Sequence, residues 1–224
     1  MTSEAVEDYL RAIFEIENRI GIAPTSELAE SLDVKPPSVT EMIKRLVDMK
    51  LVTREPYRGV TLTEDGRRRA LKLIRLHRLI ELYLYKILNV GWEKVHDEAH
   101  RLEHVISDEV AEKMDEALGY PEFDPHGSPI PSIDGSIGER DSVELSAVSA
   151  GMTVHIDEVS DRDSDLLGFL GERGILPGTV LEVVARYDFA DQIDLKVGDS
   201  VFPLGLKAAE KIRVSKTSSK DKKE

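Results

Sequence analysis

The chain contains no cysteine. Disulfides and thiolate metal sites are therefore excluded, and His, Asp and Glu remain as strong ligands. No long apolar run is present, so no membrane-spanning helix is expected. The opening "MTSEAVEDYL" is acidic and amphipathic and lacks the basic-then-apolar layout of a secretory signal. A cytoplasmic location is the reading that follows. There is no His-Glu-x-x-His zinc-protease helix, no paired Glu-x-x-His di-iron motif, no Ser nucleophile elbow and no Gly-rich phosphate loop.

What is present is a globular balance with a polar tilt: 41% hydrophobic and 33% charged over 224 residues. That is enough chain for a core and for one large or two to three small domains. The formal net charge is −13, which by itself argues against nucleic acid. The charge is uneven, however. From Lys35 to Arg78 there are 12 Lys and Arg against 5 Asp and Glu. A basic block inside an acidic chain is a local electrostatic footprint, and DNA responds to the local field.

That block falls on an ordered series of elements. "EAVEDYLRAIFEIENRI" places Val6, Leu10, Ile13, Phe14 and Ile16 at helical spacing. Pro24, Thr25 and Ser26 open a second helix, striped by Leu28, Ala29 and Leu32. "DVKPP" reads as a turn, with Pro36 and Pro37 fitting the turn and the first helical position. A third helix, "SVTEMIKRLVDMKL", follows. Ser38 and Glu41 have capping-box spacing, which would start it one or two residues later. "LVTREPYRGVTLT" alternates around "YRG" as a short hairpin. The sum is a winged helix-turn-helix, expected over residues 1–73, with the third helix entering the major groove of a double-stranded DNA operator. Candidate DNA-contacting residues are Lys35, Pro37, Ser38, Thr40, Glu41, Lys44 and Arg45 on the third helix, with Arg54 and Arg58 on the wing.

A long helix from Thr63 turns apolar after Leu79. Its Leu82, Leu84, Ile87 and Leu88 invite a partner helix, so a homodimer is expected. After "NVGW" a single further helix is expected over "EKVHDEAHRLEHVISDEVAEKMDEAL". Residues 74–140 are thus read as a helical metal-binding and dimerisation domain with a linker, the linker being the Pro- and Gly-rich stretch 120–142 or an irregular segment laid over the surface. Residues 141–215 carry short β-like segments with one helical piece, an SH3-like barrel. Residues 216–224 are read as a disordered charged tail. The fold class is mainly α with small β.

Six histidines occur in the chain, and three lie within "VHDEAHRLEH". At roughly 100° per residue, His96, His100, Glu103 and His104 share a helical arc about 100° wide. His77 and Glu81 form a second pair at i and i+4 on the preceding helix. Imidazole and carboxylate ligands without thiolate suit Mn²⁺, Fe²⁺, Co²⁺, Ni²⁺ or Zn²⁺. A DNA reader, an apolar helical dimer and a metal site combine into a metal-dependent switch. Two rival readings are a metalloenzyme with a catalytic ion in the helical domain and a metal-independent winged-helix regulator.

"DYLRAIFEI", "LAESLDVKPPSVTEMIKRL", "HRLIE", "VHDEAHRLEHVISDEV", "PHGSPIP" and the C-terminal β segments together resemble the diphtheria-toxin-repressor family of iron- and manganese-dependent transcriptional regulators. The resemblance implies a repressor of metal uptake or homeostasis genes, activated by Mn²⁺ or Fe²⁺. It implies a primary metal site of Asp8, His100, Glu103 and His104. An ancillary site would use His77, Glu81 and His96 with a ligand from the SH3-like domain, Asp163 first, Asp161 or Asp165 as substitutes. Iron-type members usually carry Met where Asp8 stands and Cys where His100 stands, so this chain leans to the manganese type. Manganese-type members often carry Glu where Arg11 and His100 stand, which counts against a binuclear site that depends on both.

Overall fold

The computed structural model describes residues 3–138 and 140–216. These divide into two compact units. Of the described residues, one unit comprises 3–77, 103–105 and 131–137; the other comprises 78–102, 106–130, 138 and 140–216.

In the first unit, α1 (Glu4–Ile20) buries Val6, Tyr9, Leu10, Ile13, Phe14 and Ile16 along one face. Its acidic first turn (Glu4, Glu7) suits the helix dipole, and Gly21 ends it in a left-handed conformation. Next come α2 (Thr25–Ser31), α3 (Pro36–Asp48) and a two-stranded antiparallel wing, β1 (Val52–Glu55) and β2 (Gly59–Leu62). The third helix starts two residues before the stretch expected for it. Pro36 and Pro37 occupy the first positions, where a missing N–H costs nothing, and Lys35 rather than Ser38 precedes the helix. Val39, Ile43 and Leu46 seat it on the core shared with Leu10, Ile13 and Leu28. Glu17 ties the parts together: it accepts the Leu62 N–H at 2.8 Å and a bond from Arg67 at 2.6 Å.

The helix α4 runs over Glu64–Lys86. In the second unit, Leu82 and Leu84 are 2% and 7% exposed, whereas Ile87 and Leu88 are 51% and 57% exposed. Of the four residues expected to face a partner helix, two are therefore core and two are open. The single helix expected after "NVGW" is two: α5 (Val95–Leu102) and α6 (Asp108–Leu118). Glu103 to Val105 form a turn. Ser107 starts the new helix by accepting the Val110 N–H, with Asp108 and Glu109 in the first turn.

The stretch 120–130 is the irregular segment that composition left as one option, and its part from Asp124 onward is largely buried rather than linker-like. Asp124, His126 and Ser128 are each under a tenth exposed. After it comes a six-stranded antiparallel sheet in the order β3-β8-β4-β5-β6-β7, interrupted by α7 (Ser164–Gly171). The strands are β3 (Val143–Glu144), β4 (Thr153–Val159), β5 (Val180–Tyr187), β6 (Gln192–Val197), β7 (Ser200–Gly205) and β8 (Ile212–Lys216). Their inward residues (Ile156, Leu181, Val183, Ile193, Leu195) make a core that also takes in Trp92. Lys216, assigned from sequence to the tail, is the last residue of β8. The rest of that tail lies outside the described residues.

Gly127 fixes how the buried segment meets the sheet. It has φ +88°, and a Cβ there would stand 2.0 Å from the Asp157 carbonyl oxygen. Gly127→Ala is expected to destabilise the protein by about 1–3 kcal/mol, from the left-handed backbone together with the clash. Urea unfolding of the two proteins measures it.

Candidate metal centres and nucleic-acid interface

Within the first unit, α1 and the 103–104 turn converge. The side chain of Glu103 is fully buried. His77 Nδ1 lies 2.6 Å from Glu103 Oε2, and Arg11 Nη1 lies 3.3 Å from both oxygens. Arg11 Nη1 also comes within 3.1 Å of His77 Nδ1. That nitrogen carries either a hydrogen or a lone pair, so both contacts cannot be hydrogen bonds at once. The shorter one decides it: His77 donates to Glu103. His104 Nδ1 lies 2.8 Å from Glu7 and donates to it. This tautomer leaves the lone pair on His104 Nε2, which faces Asp8 Oδ1 at 3.5 Å and Glu103 Oε1 at 3.6 Å. Those spacings are long for hydrogen bonds. They match ligand atoms that share one ion at about 2.1 Å, which stand roughly 3–3.5 Å apart. The residues therefore fit a divalent cation.

The helix break makes this possible. A helical arc through Glu103 and His104 was the sequence expectation, but α5 stops at Leu102. The turn delivers Glu103 and His104 to α1, while His96 and His100 stay on α5. His100 is exposed and belongs to the second unit.

A further cluster lies in the second unit. His96 Nδ1 is 3.2 Å from Glu81 Oε1 and 3.2 Å from Asp161 Oδ2. Asp161, the alternative to Asp163, is thus the carboxylate beside His96. Asp163 instead caps α7, accepting the Leu166 N–H at 3.0 Å, and pairs with Lys211 at 2.7 Å. That lysine and that N–H hold its carboxyl below the usual range.

Two residues that sequence reasoning passed over complete the setting. Glu81, Asp124 and His126 are all buried, with ligand atoms within 4.8 Å of one another. His126 Nε2 lies 2.8 Å from the Trp92 carbonyl, so it donates and Nδ1 keeps the lone pair. That Nδ1 is buried without a hydrogen bond and stands 3.9 Å from Glu81. Asp124 Oδ1 accepts the N–H groups of His126 (2.8 Å) and Ser128 (2.9 Å). Its Oδ2 has no hydrogen bond and lies 3.6 Å from Arg78 Nε. Burial pushes the Asp124 carboxyl well up, and the charge of Glu81 adds to this, against Arg78. A buried imidazole nitrogen without a partner beside two carboxylates is a donor set suited to a cation. The available signal was the His in "PHGSPIP" with an Asp two residues before it.

On the DNA-binding side, Lys35, Pro37, Ser38, Glu41, Lys44, Arg45, Arg54 and Arg58 are exposed. Thr40 is half-buried and donates to the Pro36 carbonyl. A groove of about 600 Å³ is lined by Thr25, Thr40, Arg54, Tyr57 and Arg58. Tyr57, at the wing tip, is fully exposed with φ +63°. It and Thr25 were not singled out from sequence.

Residues 1–60 match the family profile described as the iron dependent repressor N-terminal DNA binding domain. Residues 63–132 match its metal binding and dimerisation domain, and 143–216 match the FeoA domain. The diphtheria toxin repressor of Corynebacterium jeikeium (strain K411) is 32% identical over 209 residues, covering 83% of this chain and 87% of that relative. The chain belongs to the diphtheria-toxin-repressor family. Iron-dependent repressor IdeR of Mycobacterium tuberculosis (strain ATCC 25618 / H37Rv) is 32% identical over 193 residues, covering 80% and 84%. Among solved structures, a manganese-dependent transcriptional repressor in complex with manganese is similar at TM-score 0.89 and 36% identity, covering 95% of this chain and 100% of that one. ScaR with bound Cd²⁺ is similar at 0.82 and 32%, covering 95% and 99%. The expected fold class is borne out: a winged helix-turn-helix domain, a helical dimerisation domain and an SH3-like domain. Family members are metal-dependent DNA-binding repressors, so the metalloenzyme and metal-independent readings both fall. No helix among the described residues is long and apolar enough to cross a membrane.

His96 yields a test in the metal-free chain. Burial opposes its charged form, but hydrogen bonds and charges from Asp161 and Glu81 outweigh burial and hold its pKa at about 10. An imidazole raised in this way stabilises the fold fully below its ordinary value of 6.5, and the effect disappears as pH rises through about 10. Metal-free wild type is expected to lose stability across that window relative to His96→Gln. Urea unfolding at several pH values, with chelator present, checks it.

Proposed function

We propose that this family member represses metal-homeostasis genes in the cytoplasm, and that Mn²⁺ or Fe²⁺ joins its DNA-binding domain to its dimerisation domain. The observation that carries the reading is the convergence of Asp8 with Glu103 and His104. Asp8 belongs to the region matched as DNA-binding, and Glu103 and His104 to the region matched as metal-binding and dimerisation. The family resemblance adds His100 to this primary set and His77 to the second, whose members within the second unit are Glu81, His96 and Asp161, with Asp124 and His126 sharing Glu81. Co²⁺, Ni²⁺ and Zn²⁺ occupy the same donors in vitro, and ScaR in complex with Zn²⁺ supports that breadth.

When bound, the cation supplies a shared positive centre for carboxylates that otherwise repel one another. Asp8 then holds α1 to the 103–104 turn, and α1 carries the core on which α3 is seated. The spacing of the two reading helices in the dimer is fixed before the operator is met. An ordering cost is removed from DNA binding, which is positive coupling between metal and operator. Ligand histidines must be neutral, so activation weakens at low pH. The absence of a soft ligand at Asp8 and His100 supports manganese over iron as the physiological signal.

Operator binding with and without Mn²⁺ tests the switch, and equal affinity in both would sink it. Asp8→Ala is expected to abolish the Mn²⁺ dependence while sedimentation still shows a dimer. On the DNA face, Lys44→Ala and Arg54→Ala are expected to weaken binding to all sequences alike and to lower the salt slope by about one each. Fluorescence anisotropy over a salt series reads this.

A further inference from the structure

The Asp8–Glu103–His104 cluster already contains a cation. Glu103 is completely buried, and a buried carboxylate without compensation is strongly destabilising. Arg11 supplies that compensation, with Nη1 at 3.3 Å from each carboxylate oxygen and only 18% of its side chain exposed. Its Nε is held from behind by Glu15, one turn along α1, at 3.5 Å. The guanidinium is therefore held over Glu103. The oxygen facing His104 Nε2 at 3.6 Å, Oε1, is one of the two that Arg11 already serves. Glu103 Oε2 is shared by Arg11 and His77. Both oxygens of Glu103 thus already carry a contact from Arg11, and Oε2 a second one from His77.

We propose that Arg11 is a resident cation of the primary site, which compensates Glu103 in the metal-free chain and sets the free-metal concentration at which the site fills. This inference rests on reading the cluster as a metal site. A guanidinium keeps its proton at any physiological pH, so it cannot be neutralised to make room as a histidine can. An incoming divalent ion therefore shares Glu103 with a fixed positive charge a few ångströms away. Metal binding is weakened twice: the metal-free state is stabilised, and the metal-bound state is repelled. Arg11 is a positioning residue that makes no metal bond.

The test compares full-length wild type, Arg11→Gln and Arg11→Lys by Mn²⁺ calorimetry and by melting of the metal-free protein. The relevant binding component is the one that Asp8→Ala removes. Arg11→Gln is expected to melt lower when metal-free, to bind Mn²⁺ roughly tenfold or more tightly, as loss of a charged hydrogen bond implies, and to show a larger Mn²⁺-induced rise in melting temperature. Arg11→Lys keeps the charge but loses the planar group that Glu15 holds through Nε, and is expected to fall between the two. Arg11→Gln binding Mn²⁺ no more tightly than wild type would overturn the inference. Should metal-free Arg11→Gln fail to fold, Arg11→Lys decides: tighter Mn²⁺ binding supports the proposal, and unchanged binding overturns it. Wild type with no Asp8-dependent Mn²⁺ binding at all would instead mean that the metal-site reading has failed.

Discussion

The first unit is organised around one buried carboxylate. Glu103 has no access to water, so its charge must be met from within. Arg11 and His77 meet it, and Asp8 and His104 stand next to it. These residues come from α1, α4 and the turn after α5, so a single desolvated charge fixes three segments that are distant in sequence. The apolar packing of α1 gives the cluster its frame. Val6, Leu10 and Ile13 face the core, which leaves Glu7, Asp8 and Arg11 on the side that meets the turn. Such a site is costly to build from residues that repel one another.

The second cluster applies the same physics in a drier setting. Glu81, Asp124 and His126 are each buried, and burial, with the charge of Glu81 behind it, pushes the Asp124 carboxyl well up. Backbone N–H groups hold one Asp124 oxygen, and the Trp92 carbonyl fixes the His126 tautomer. The remaining donor atoms are directed together. Contacts of this kind, one layer behind the ligand atoms, decide which atom of each side chain is offered.

Much of this was legible in the sequence because its signals are periodic. The helical spacing of Leu10, Ile13 and Phe14, the alternation around "YRG", and the short β segments after Val143 report their elements directly. The crowding of His96, His100, Glu103 and His104 announced a metal region. The end of α5 at Leu102 was not legible. "HRLEHVIS" continues a helical pattern, and the break depends on Ser107 starting α6 and on α1 drawing Glu103 and His104 away. The buried role of Asp124 and His126 was hidden because a Pro- and Gly-rich segment looks like a linker by composition. Its burial comes from a close backbone approach at Gly127 that no local pattern encodes. The choice of Asp161 over Asp163 is likewise tertiary, since it turns on which aspartate α7 and Lys211 claim.

The indole of Trp92 stacks on the imidazole of His126, with centroids 5.4 Å apart and planes 28° from parallel. It is the only tryptophan in the chain. The sole strong fluorophore of the protein is therefore one ring removed from a candidate ligand, and buried in the core of the SH3-like domain. Any change of charge on that imidazole alters the field across the indole and with it the colour and yield of its emission. The molecule carries its own optical gauge of the second cluster, legible without label or modification.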